Sequence, residues 1–256
     1  MIGKYNIECC VGIRHVECLE ILFKYLCNEI DYIDKINLLI ANNFVLSYIN
    51  NILPSIIKHK SVIRPFSCID SCDIVRSKYK TKDTVYIYID DDICYLSPNF
   101  ISRLVNWHIE CNNIISYPSI ANTGTTTFIW QVMGILPLFK KNDVIQDSDY
   151  KWIDCAKIDA KDSVVIHNKF IYSVINEIDL SFYRYYLYDK YEMYKQIYIW
   201  FGGDECNQPS DILFDNCTNK FCINGEVFAS HFAFRTHRQA LNNSGIINKY
   251  KDILGK

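Results

Sequence analysis

The chain has 256 residues, half of them hydrophobic and 22% charged, which is material for one α/β domain rather than a disordered or fibrous protein. A formal net charge of −2 leaves no general basic footprint, so nucleic acid is not an expected partner. No stretch offers the roughly 18 uninterrupted apolar residues of a membrane span, and the N-terminus carries Glu8 without a small-residue cleavage site, so the expected location is the cytoplasm.

The elements alternate from the start. Residues 5–13, YNIECCVGI, read as a buried strand, and HVECLEILFKYLCNEI follows with apolar residues at helical spacing. KINLLIANN is a second strand stopped by Asn42 and Asn43, and FVLSYINNIL a second helix ending before Pro54. SVIRPF is a short third strand. TVYIYID is the strongest strand in the chain, alternating β-branched and aromatic residues. In SPNFISRLVNWHIE, Ser97 is the expected N-cap and Pro98 the first helical residue. NIISYPSIAN is a further strand, leading into NTGTTT, which reads as polar and flexible. Strand–helix alternation predicts a largely parallel sheet covered by helices, and no linker divides it. The twelve cysteines are scattered and expected to be reduced and mostly buried; Cys68 and Cys72 have no matching second pair for a zinc site.

Three adjacent carboxylates, Asp90, Asp91 and Asp92, interrupt this pattern at the end of the strongest strand. Like charges repel and Asp is poor in strands, so a bound cation or a solvated acidic turn must accommodate them. Ligands of such sheets sit beyond the carboxyl ends of the strands, where these acids fall. Between Asn168 and Tyr198 tyrosines crowd together; most are expected to pack on helix faces, with one or two available to a sugar acceptor. IYIWFGGDE then joins aromatics to two glycines and two acids, Asp204 and Glu205, a candidate general-base loop. EVFASHFAFRTHR sets His231 in an apolar run, where it is either a core histidine or a metal ligand.

The order of these features, a strand-end DDD, a GGDE loop and a late histidine, resembles the GT-A-type nucleotide-sugar glycosyltransferases with their Asp-x-Asp motif. WFGGDE also resembles the Trp-Gly-Gly-Glu-Asp segment of β-1,4-galactosyltransferases, with the acids in the opposite order. The resemblance implies a single GT-A-like, Rossmann-like domain over residues 1–256, with a nucleotide-binding half over about 1–110 and an acceptor-binding half over about 111–256. It implies that Asp90, Asp92 and His231 hold Mn²⁺ or Mg²⁺ against the diphosphate, the histidine nitrogen favouring Mn²⁺. Gly12, Arg14, Asn42, Asp90, Asp91 and Gly203 would line the nucleotide sugar, with UDP favoured. Glu205 would be the base of an inverting reaction and Asp204 would orient the acceptor. The swapped acids leave the choice between Asp204 and Glu205 open, together with a retaining course that needs no such base. The acceptor would be a glycan or glycolipid, the latter compatible with peripheral membrane contact; oligomeric state does not follow.

Two other classes share parts of the pattern. YIDDD is similar to the Tyr-x-Asp-Asp hairpin of reverse transcriptases, but a polymerase needs a basic template channel and a second strand returning at once. A metal-dependent nuclease or phosphatase would place more ligands near Asp90. A sugar- or nucleotide-binding protein of the same fold would not require the GGDE acids for binding.

Overall fold

The computed structural model describes residues 4–65, 75, 78–111, 115–137, 159–183, 185–186, 196–202, 221–232 and 237–255. Its frame is one mixed sheet of nine strands among the described residues. The strands are β1 (Asn6–Ile13), β2 (Lys35–Ile40), β3 (Ser61–Pro65), β4 (Thr84–Asp90), β5 (Ile93–Leu96), β6 (Ile115–Ala121), β7 (Tyr185–Tyr186), β8 (Ile197–Phe201) and β9 (Phe221–His231). Their order is β3-β2-β1-β4-β8-β6-β9-β5, with β7 also on β9. β1 to β4, β6 and β9 run one way, while β5, β7 and β8 oppose them. The expected mostly parallel α/β sheet is therefore present, and β8 from the second half of the chain lies between β4 and β6.

The helices are α1 (Leu19–Asn28), α2 (Asn43–Ile52), α3 (Ser55–Lys60), α4 (Phe100–Cys111), α5 (Gly124–Val132), α6 (Ala160–Ile175), α7 (Arg238–Asn243) and α8 (Ile246–Leu254). α1 buries Leu19, Leu22, Phe23 and Leu26, the stripe that its spacing predicts. Two apolar clusters form. One joins β1, β2, β4 and β8 to α1 and α4; the other gathers α6, α7 and α8 around Tyr95 and Trp130. The alternating tyrosines of β4 have a packing role. Tyr86 faces Trp200 and Tyr88 faces Tyr198 in register across β4 and β8, with ring centroids 5.3 and 5.0 Å apart.

The structure corrects three local expectations. Ser97 does not cap α4: its hydroxyl accepts the Phe228 N–H at 3.1 Å, and the helix begins only at Phe100, after Asn99 turns with φ of 56°. The reason is β5, which pairs with β9 and draws Ser97 onto the sheet edge. NTGTTT is not a flexible loop but the entrance to α5, where Thr123 donates to the Ile120 carbonyl at 2.6 Å and Thr126 accepts the Ile120 N–H at 3.2 Å. α3 follows directly from Pro54, a six-residue helix where the sequence suggested none. The described cysteines are in no disulfide, with Cys9, Cys10, Cys18, Cys94 and Cys222 buried; Cys68 and Cys72 lie outside the described residues. None of the described helices is long and apolar enough to cross a membrane.

Candidate functional site at the carboxyl end of the sheet

Strand register assembles the acidic end. β1 and β4 are parallel neighbours, and Gly12 lies directly opposite Asp90. The loop leaving β1 turns over the acids, so that the backbone N–H groups of Arg14 and His15 both donate to Asp91 Oδ2. Asp91 is 2% exposed and anchors that loop. Its carboxyl is raised to about 7 by burial and by the neighbouring Asp92, against the opposing pull of the two N–H donors.

Asp90 is the accessible acid of the three. Its Oδ1 receives the Tyr88 hydroxyl at 3.3 Å and lies 3.7 Å from the Arg14 guanidinium. Burial, then repulsion from Asp92 and Asp91, raises its carboxyl well above the ordinary range. The Tyr88 ring explains Gly12: a Cβ there would run into the Tyr88 hydroxyl and ring. Gly12 thus clears the space that lets Tyr88 reach Asp90, and Arg14 supplies positive charge at the rim. Asn42 stands at the carboxyl end of β2, but its side chain already has a task, accepting the Val45 N–H at 3.0 Å as the N-cap of α2.

Asp92 has a different surrounding. The chain bends after Asp90, β5 pairs with β9, and the Phe232 N–H donates to the Asp92 carbonyl at 2.7 Å. This brings His231 Nε2 to 3.2 Å from Asp92 Oδ2. Arg238, at the start of α7, donates to the same oxygen at 3.1 Å and lies 3.3 Å from Glu17 Oε2. Burial opposes ionisation of Asp92, but His231 and Arg238 outweigh it and hold its carboxyl below the usual range. Asp92 Oδ1 is buried with no hydrogen-bond partner. His15 lies beside this charged group, its imidazole lowered first by burial and then by Arg238, against the pull of Glu17 and Asp92.

Asp90, Asp91, Asp92, His231, Gly12 and Arg14 therefore converge. The sequence reading missed Arg238, Glu17, His15 and Gln196. Gln196 precedes β8, and its carbonyl accepts the Asp90 N–H at 2.8 Å. Gly203, Asp204 and Glu205 lie outside the described residues. The described chain ends there at Gly202, whose N–H donates to the Thr84 carbonyl at 2.8 Å, beside the start of β4. β8 is antiparallel to β4, so Gly202 stands at the end of the sheet away from Asp90. Gly202 also has a local reason to be glycine, because a Cβ would strike the Thr81 carbonyl.

Asp90, Asp92 and His231 supply oxygen and nitrogen donors that suit Mn²⁺ or Mg²⁺, and the unpartnered Asp92 Oδ1 leaves coordination capacity. Among the described residues no three His, Cys, Asp or Glu side chains are grouped to hold a metal by themselves. A cation here would need oxygens from its ligand, as a diphosphate provides. A nucleotidyl-transfer hairpin would fold its second strand back beside β4; here β4 is flanked by β1 and β8, and β5 pairs with β9. No protein-family model matches the chain, and no curated protein matches it.

Proposed function

We propose that the chain is a metal-dependent glycosyltransferase that moves a sugar from a nucleotide diphosphate donor, UDP by preference, to a hydroxyl of a glycan or glycolipid. The observation that carries the reading is the pairing of Asp92 with His231, and of Asp90 with Arg14 opposite Gly12, at the carboxyl end of a mostly parallel sheet. Asp92 and His231, with Asp90, would hold Mn²⁺ or Mg²⁺. The cation would neutralise charge developing on the departing diphosphate. Arg14 adds a fixed positive charge at the same rim, and the β1–α1 loop held by Asp91 shapes the floor on which the nucleotide lies.

Inversion is the preferred course, with Glu205 taking the acceptor proton and Asp204 orienting the acceptor. Magnetic resonance of the product tests it directly: with a UDP-α-sugar donor a β-linked product is expected, and an α-linked product would mean a retaining course that needs no such base.

A further inference from the structure

Asp92 already has a cation. The Arg238 guanidinium bridges Asp92 Oδ2 and Glu17 Oε2 at 3.1 and 3.3 Å, and it also lies over the Phe232 ring, 6.0 Å from the centroid. A divalent ion binding Asp92 Oδ2 would have to contend with that positive charge. Asp92 is 6% exposed, and its second oxygen is shielded from solvent yet accepts nothing. An ion pair built only for stability would be expected to satisfy both oxygens, because a buried, unpaired lone pair is costly. This carboxylate is half used.

We propose that Arg238 is a resident counter-cation that a divalent metal must displace from Asp92, so that metal binds tightly only together with an anion that takes up the released guanidinium. The inference rests on the glycosyltransferase reading and adds a mode of regulation to it. Two carboxylates, Asp92 and Glu17, share one guanidinium, whose planar fork spans both; a single ammonium has no such fork. With Arg238 in place, neither acid presents a free negative charge to a metal, and no three-ligand group is assembled among the described residues. When a diphosphate enters, its oxygens offer Arg238 an equivalent bidentate partner and offer the metal its missing ligands. Metal and nucleotide would then bind as a pair, and free metal alone would bind weakly.

The test measures Mn²⁺ binding by its electron paramagnetic resonance signal, without nucleotide, for the wild type, Arg238→Met, Arg238→Lys and the double variant Arg238→Met, Asp92→Asn. Arg238→Met should bind Mn²⁺ alone at least tenfold tighter than the wild type, and Arg238→Lys about threefold tighter. The double variant should lose the gain, which assigns the ion to Asp92. Should Arg238→Met not fold, Arg238→Lys carries the test. Parallel titration with UDP and Mn²⁺ separates the two claims. If the wild type binds UDP with Mn²⁺ but neither Arg238 variant binds Mn²⁺ alone any tighter, the displacement idea is wrong and the transferase reading stands. If no chain binds UDP or Mn²⁺ under any condition, both are wrong.

Discussion

Ser230 and His231 are adjacent on β9, and their side chains enter two different polar regions. The Ser230 hydroxyl meets the Tyr250 hydroxyl at 2.7 Å, and Tyr250 meets His167 Nδ1 at 2.8 Å. His167 Nε2 lies 2.8 Å from the Phe232 carbonyl and can only donate there, so Nδ1 accepts from Tyr250 and Tyr250 accepts from Ser230. Every role in that chain is filled, and burial lowers His167 to about 4, which keeps it neutral. One residue on, His231 joins Asp92 and Arg238, a charged group with an unused carboxylate oxygen. A fully satisfied polar network rigidifies the fold around it; the charged group keeps one buried carboxylate oxygen without a hydrogen-bond partner, the capacity on which the proposed metal site rests. Both regions look alike in sequence, each a histidine among apolar residues.

The largest expected effect is on the charged side. Asp92→Ala should lower metal-dependent nucleotide affinity by more than about 100-fold, beyond the 10–100-fold typical of losing a partner behind a metal ligand; calorimetric titration measures it. An affinity unchanged in Mn²⁺ would remove Asp92 from the metal site.

Next come two substitutions that should separate the regions. Tyr250→Phe leaves His167 Nδ1 and Ser230 without their shared partner and should cost about 1–3 kcal/mol of stability in urea, with nucleotide binding unchanged. His231→Ala should lower metal-dependent binding by about tenfold or more while the fold survives. A collapsed His231→Ala protein would make it a core histidine like His167, and the contrast would fail.

The pH dependence sharpens the same contrast. His167 is neutral when folded and has its ordinary value, 6.5, when unfolded, so its contribution is complete above pH 6.5 and is lost as pH falls toward about 4. Burial and mutual repulsion raise Asp90 and Asp91, which act in the opposite sense and favour the fold as pH falls. The difference between chains therefore carries the test. Relative to the wild type, His167→Gln should recover stability by about 1.4 kcal/mol per pH unit over that window; parallel pH profiles would mean that His167 is charged in the folded protein.

The smallest effect on donor binding is expected at Glu205. Glu205→Gln should leave it unchanged while cutting transfer by about 10²–10⁴-fold, the loss of a general base. A wild-type transfer rate would pass the role to Asp204 or mean a retaining course.

Much of the frame was legible in the sequence because it depends on local pattern. Alternation in TVYIYID, the stripe in LEILFKYL and the asparagines after KINLLI mark strands and helices that the fold keeps. The acidic end was legible because an Asp triplet at a strand terminus violates strand chemistry unless something compensates. Strand direction was not, because alternation in IYIWF is the same read either way, and only pairing with β4 shows that Gly202 lies beside Thr84 at the far end. Arg238 was equally hidden. It meets Asp92 across 146 positions, and nothing in RTHRQA distinguishes its charge from that of any surface arginine. The tyrosines of β4 hid their partners in the same way, since only cross-strand register stacks them on Tyr198 and Trp200.

The most direct measurement of the central claim is calorimetric titration of the purified protein with UDP, GDP, CDP and dTDP, each in Mn²⁺ and in EDTA. Tight binding of one nucleotide, UDP first, that disappears in EDTA is the predicted result. Binding of none of the four to a folded sample, or binding indifferent to EDTA, would contradict a metal–diphosphate site at Asp90, Asp92 and His231.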